Sequence, residues 1–164
     1  MPTFCAKYVN VYNYRTGMTK EQQYEALLPQ VVALCDGEPD LVAKMSNVAA
    51  LLHETFHFWW TGFYIVRGTE LVLGPFQGPI ACVRIAYGRG VCGTAWKEGH
   101  TLVVADVEDF PGHIACSSAS KSEIVVPVIK DDAVIAVLDI DSRHLATFDS
   151  VDAKWLEQIA EVLS

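Results

Sequence analysis

The chain has 164 residues, 51% of them hydrophobic and 20% charged, which suits one domain with a sizeable core. With 12 basic and 20 acidic residues the formal net charge is −8, which argues against nucleic acid or an anionic membrane as partner. The richest apolar stretch, Val48 to Val66, is interrupted by His53, Glu54, His57 and Thr61, so nothing reads as a bilayer span. The start, Met1-Pro-Thr-Phe-Cys-Ala-Lys7, shows no basic-then-apolar leader. The 5 cysteines form no disulfide-framework spacing. A reduced, cytoplasmic setting is therefore expected.

Residues 1–18 contain Tyr and Asn without period and read as an N-terminal extension ahead of a domain over 19–164. From Glu21, the spacing of Tyr24, Leu27, Leu28, Val31 and Leu34 predicts a helix, with Pro29 as a kink and Asp36-Gly-Glu-Pro39 as its end. Asp40 caps a second predicted helix carrying Leu41, Met45, Val48, Ala49, Leu52 and Phe56 on one stripe. From His57 to Val66 the period changes to two, with aromatics on both faces, so both faces must be covered. A second strand is expected over 70–73, ending at Gly74-Pro-Phe-Gln-Gly-Pro79, and a short one from Cys82 to Ala86.

Val91 to Lys97 reads as a short helix entered through Gly90 and closed by Gly99. A brief strand over 101–104 precedes a loop from Asp106 to Ser120. Two further strands, about 122–129 and 133–139, join at Asp131-Asp132. Asp149 caps a last helix with Val151, Trp155, Ile159 and Val162 as its buried stripe. Short hairpin strands with helices before and after describe an α+β domain with an antiparallel sheet.

Three cysteines lie in segments rich in Gly, Ser or charge: Gln77-Gly-Pro-Ile-Ala-Cys82, Gly88-Arg-Gly-Val-Cys92-Gly93 and Gly112-His-Ile-Ala-Cys116-Ser-Ser118. Thiols on polar loops that offer backbone N–H groups can ionise and react. Several that meet in space point to redox chemistry. Together with Ser122-Glu-Ile-Val-Val-Pro127 and Val137-Leu-Asp-Ile-Asp-Ser142, these segments resemble the free methionine-R-sulfoxide reductases, single GAF domains that act as enzymes. The resemblance covers roughly residues 20 to 164 and leaves Cys5 and Cys35 outside its motifs.

That resemblance implies a GAF fold, with its antiparallel sheet flanked by N- and C-terminal helices. It also implies thiol-dependent reduction of free L-methionine (R)-sulfoxide, with no bound metal or organic cofactor. Sulfoxide reduction needs a thiolate to attack sulfur and an acid to protonate the departing oxygen. It also needs a second thiol to capture the sulfenic acid, and an external dithiol of the thioredoxin type to recycle the disulfide. Cys116 is the expected nucleophile and Cys82 the resolving cysteine. Cys92, at a helix start where the dipole lowers a thiol pKa, is an alternative for either role.

Ile114 and Ala115 precede Cys116 in a loop whose N–H groups suit a thiolate or the substrate carboxylate. Glu123 and Asp141 are expected to polarise or protonate the sulfoxide oxygen, and Asp139 to help hold the ammonium or orient a neighbour. Trp60 and Tyr64, on one strand face, would wall the methyl group. Two copies could pair through the terminal helices.

Strand register tests the acid assignment. Asp139 and Asp141 share a face, but a regular two-residue turn at Asp131-Asp132 sets Glu123 opposite Ile140, facing away from both. A shared site therefore requires a register break, by a three-residue loop or a bulge near Pro127, or Glu123 reaching in from above. Three other readings compete with the enzyme. They are a non-catalytic GAF sensor of a small molecule, a zinc module built on Cys82, Cys92, His113 and Cys116, and a plain interaction domain.

Overall fold

The computed structural model describes residues 17–113 and 118–164. Helix α1 spans Lys20–Cys35, and Thr19 and Gln22 form a reciprocal capping box at its start. Pro29 is accommodated within it. Helix α2 spans Leu41–Phe56, capped by the Asp40 carboxylate accepting from the Ala43 N–H at 2.9 Å. It stops because His57 turns left-handed, with φ 56°. Strand β1 (Trp60–Arg67) accordingly starts three residues later than its alternation suggests.

Strand β2 runs Glu70–Gln77, through the Gly74-Pro75 pair expected to end it. The β1–β2 register explains how. Tyr64 pairs with Leu73 and Gly62 with Phe76, so residues 74 and 75 together oppose Phe63 in a bulge. A proline there forfeits no ladder bond. Strand β3 covers only Arg84–Ala86, which leaves Cys82 in the loop before it. Helix α3 is Gly90–Glu98, closed by left-handed Gly99. Then follow β4 (Leu102–Val104), a turn of 3₁₀ helix at Val107–Asp109, β5 (Ser122–Lys130), β6 (Ala133–Ser142) and α4 (Ser150–Leu163). On α4 the deepest apolar residues are Leu156, Ile159, Ala160 and Leu163. Val151, Trp155 and Val162 of the expected stripe pack half-buried at its margin.

All strand pairs are antiparallel, in the order β3-β2-β1-β6-β5-β4, so the α+β expectation holds. Helices α2 and α4 bury one face over Phe63, Ile65, Ile124, Val126, Leu138 and Ile140, and α1 packs against both helices in the same core. Helix α3 covers part of the other face, setting Val91, Cys92 and Ala95 over Trp60, Tyr64, Val125 and Val137. The two-sided burial read from the β1 aromatics is thus met by two separate cores. Among the described residues, no helix is long and apolar enough to cross a membrane.

A buried polar contact ties α1 to α4. Asp152, 1% exposed, accepts from the Tyr24 hydroxyl at 2.9 Å and from the Lys20 ammonium at 2.5 Å. The same carboxylate accepts from the Asp149 N–H at 2.9 Å, closing the α4 capping box.

The β5–β6 hairpin carries the register break. Asp131 and Asp132 both take positive φ (50° and 61°), a two-residue turn matched to strand twist. Lys130 then pairs with Ala133 and Ile129 with Val134, but Val128 pairs with Ala136. Ile135 is the extra residue. From that bulge onward Glu123 stands opposite Asp141, not Ile140. The bulged strand is β6; Pro127 itself pairs regularly with Val137.

Candidate active site

The second sheet face, α3 and the loop at residues 79–81 enclose a cavity of about 50 Å³. Alternation along β1, β5 and β6 aims Trp60, Tyr64, Glu123, Asp139 and Asp141 into it, and α3 adds Cys92. Trp60 stacks on Tyr64 (centroids 6.0 Å apart) and on Phe76 (5.4 Å). Gly62, between Trp60 and Tyr64 on the strand, makes this possible. A Cβ there would come within 2.5 Å of the Trp60 ring and 2.4 Å of the Phe76 Cβ.

The same aromatics hold the loop above them. The Trp60 indole N–H donates to the Pro79 carbonyl at 3.1 Å, and the Tyr64 hydroxyl donates to the Cys82 carbonyl at 3.0 Å. Burial, with Asp139 nearby, holds the Tyr64 hydroxyl in its protonated form.

Three acids meet in this space. Glu123 and Asp139 are each 6% exposed, and burial pushes both well above the ordinary carboxyl range, with neighbouring acids adding to the effect. Asp141 is pushed up to about 6, chiefly by desolvation, which the Ser120 hydroxyl opposes by donating a short hydrogen bond to it. Like charges this close cannot all ionise, so the cluster retains protons near neutrality. One Asp139 carboxyl oxygen is buried with no hydrogen-bond partner among the described residues.

Cys92 corrects an expectation. It does lie in the first turn of α3, but its pKa is raised well above the usual thiol value. Complete burial is the main cause, followed by Asp139 and Glu123; its sulfur lies 3.9 Å from a Glu123 oxygen. Desolvation beside acids outweighs a helix terminus contributing a fraction of a charge. Cys92 here is a neutral thiol.

Cys82 is disulfide-bonded, whereas Cys35 and Cys92 are free. That bond removes Cys82 from the zinc set considered above. Among the described residues, the one gathered group of metal-ligand type is Cys92, Glu123 and Asp139, whose ligand atoms lie within 4.8 Å of one another. Burial favours the neutral form of each, so a cation would have to displace protons to bind. Cys116, Ile114 and Ala115 lie outside the described residues.

Sequence reasoning missed Ser120, the hydroxyl that holds Asp141, and Phe76, which backs Trp60. Ser120 carried no signal of its own. It reaches Asp141 because the entry to β5 lies beside the end of β6, where Ser122 pairs with Ser142. Phe76 could have been found only by extending β2 past Pro75.

A family model described as "GAF domain" matches residues 40–164. The chain is 59% identical over 146 residues to "GAF domain-containing protein A" of Dictyostelium discoideum, covering 88% of this chain and 92% of that protein. It is 46% identical over 147 residues to the "Free methionine-R-sulfoxide reductase" of Escherichia coli K12, covering 89% of each. Among solved structures, the free methionine-R-sulfoxide reductase of Neisseria meningitidis in complex with its substrate superposes with a TM-score of 0.88. It is 52% identical and covers 90% of both chains.

Proposed function

This chain belongs to the GAF-domain family of free methionine-R-sulfoxide reductases, and we propose that it reduces free L-methionine (R)-sulfoxide through a cysteine sulfenic acid and an intramolecular disulfide. The observation that carries this reading is the enclosed cavity in which Glu123, Asp139 and Asp141 face Trp60 and Tyr64 beneath the Cys82 loop.

In the proposed reaction the Cys116 thiolate attacks the sulfoxide sulfur. A protonated carboxyl of the Glu123–Asp141 pair delivers its proton to the oxygen; the hydroxyl so formed passes from the substrate sulfur to the Cys116 sulfur as the transient S–S bond breaks, so that methionine leaves and Cys116 is the sulfenic acid. Raised carboxyl pKa values suit this step, since the donor must hold a proton near neutral pH. Asp139 takes the substrate ammonium, which supplies the partner its buried oxygen lacks. Trp60 and Tyr64 contact the methyl group, and the backbone at Ile114 and Ala115 takes the carboxylate.

The Cys82 thiol then attacks the sulfenic sulfur, and water departs as the disulfide forms. Cys82 is disulfide-bonded, and the proposed mechanism takes Cys116 as the cysteine it resolves. The resolving sulfur must come within bonding distance of the nucleophile, so the loops around 77–92 and 106–120 should differ between the reduced and oxidised forms.

A thioredoxin-type dithiol would reduce the bond by exchange on the face where Ile80 (90%) and Val83 (65%) are exposed beside Cys82. Such recycling places the enzyme in a reducing compartment, the cytoplasm. No bound cofactor enters this scheme.

The test is racemic free methionine sulfoxide with dithiothreitol, each epimer followed by chiral separation, for the wild type and Cys116→Ala. Loss of the R epimer alone, abolished in the variant, is the expected result. Turnover that survives in Cys116→Ala would move the nucleophile elsewhere, and absence of turnover in the wild type would overturn the reading.

A further inference from the structure

A second, solvent-open cavity of about 570 Å³ shares Trp59 and Pro79 with the acid cavity but has the opposite chemistry. His53, His57, Arg143 and His144 line it, and among the described residues no Asp or Glu does. In a chain of net charge −8, an arginine gathered with three of the 5 histidines along one cavity makes a local reversal of field. The Arg143 guanidinium lies 3.4 Å from the Trp59 ring centroid and has no salt bridge among the described residues. Stacking on one face leaves its in-plane N–H groups available.

Two buried nitrogens of lining residues also have no hydrogen-bond partner among the described residues: the Trp59 indole N–H, which can only donate, and His53 Nδ1. A buried donor without an acceptor is costly, and a ligand oxygen is one way to satisfy it. The left-handed φ of 56° at His57 marks a further conformational cost at the rim of this cavity.

His53-Glu-Thr-Phe-His57 has the spacing of a helical metal motif, but the geometry refuses a metal. His57 lies beyond the end of α2, and among the described residues the histidine ring nitrogens are not gathered within 4.8 Å as one ion's ligands would be. A cavity lined by Arg143 and three imidazoles, and by no carboxylate among the described residues, instead selects an anion. Its volume falls within the range of about 300–1,000 Å³ usual for small-molecule sites.

We propose that this cavity is a second ligand site that takes a phosphate group, free or carried on a small metabolite. Arg143 supplies charge, and the imidazoles of His57 and His144 and the Trp59 N–H supply hydrogen-bond donors. The proposal stands on this cavity alone and does not depend on the reductase reading.

The test titrates the isotope-labelled full chain with inorganic phosphate and, separately, with glycerol 3-phosphate at fixed ionic strength, followed by two-dimensional NMR. Saturable shifts centred on residues 53–59 and 142–147 are expected, with affinity falling about tenfold in Arg143→Ala. His57→Gly keeps the left-handed conformation at no steric cost while deleting the imidazole, so it should weaken binding with its Tm unchanged or higher. Tighter binding of the ester than of phosphate assigns the group to a metabolite, and equal binding assigns it to free phosphate. The proposal is overturned if neither probe gives saturable shifts by tens of millimolar, or if both variants bind like the wild type. Stoichiometric Zn²⁺ binding that His57→Gly abolishes would overturn it in favour of a metal.

Discussion

Replacing Asp141 with Asn converts the buried acid cluster into a pH dependence that a melt can read. The Asp141 carboxyl moves from an ordinary 3.8 to about 6 on folding. Those roughly two pH units, at 1.36 kcal/mol each, set a ceiling of about 3 kcal/mol. Asp141 keeps partial exposure, and solvent screening reduces the figure to about 1–2 kcal/mol.

The sign follows from which state holds the proton. Between the two pKa values the folded chain keeps a proton that the unfolded chain has released, so raising the pH favours unfolding. The contribution is complete below about pH 3.8 and is lost as pH rises through about 6. Glu123 and Asp139 are shifted the same way, so the coupled cluster keeps this sign. Asn has no proton to lose, and its carbonyl still accepts from Ser120.

Between pH 4 and pH 8 the variant should therefore gain about 1–2 kcal/mol on the wild type, or about 2–8 °C in Tm. The assay is guanidinium and thermal melts of both proteins across that range, without substrate and at one salt concentration. Taking the difference cancels groups common to both, such as His53, His113 and Asp149. Parallel stability curves, or a variant that loses ground as pH rises, would refute the burial argument.

Gly62→Ala drives a methyl group into the Trp60 ring and Phe76; an overpacking cost of about 1–3 kcal/mol and a raised KM are expected, and unchanged melts and kinetics would show that Gly62 does not seat the indole. Asp152→Ala strands the Tyr24 hydroxyl and the Lys20 ammonium, at about 2–3 kcal/mol by urea melt with kcat intact, because α1 and α4 lie across the sheet from the site. Cys92, buried and neutral, should resist iodoacetamide in the folded protein and label on unfolding, as mass spectrometry would show. Val83→Asp places a charge beside Cys82 on the exposed face; it should raise KM for a thioredoxin-type reductant several-fold while dithiothreitol-driven turnover holds, and equal effects on both reductants would remove that face as the docking surface.

Local chemistry determined much of this fold. Asp40 and Asp149 cap helices because a short carboxylate satisfies free N–H groups wherever an apolar period begins, and both helices start there. Gly99 ends α3 because a left-handed residue is cheap only for glycine. The α+β class, the two-sided β1 and the need for a register break were likewise legible, the last because alternation is strict and the acids had to share a face.

Tertiary structure decided what depends on distant neighbours. The bulge fell at Ile135 in β6, although Pro127 drew attention to β5, since the sheet sets where an extra residue is absorbed. Ser120 became the partner of Asp141 only when two strand ends met. Cys92 changed most. Its position at a helix start suggests an activated thiolate, yet packing α3 onto a face of acids desolvates it and reverses the shift. A local motif can state a residue's chemistry, but the free energy of its charge depends on how much water the rest of the chain removes from it.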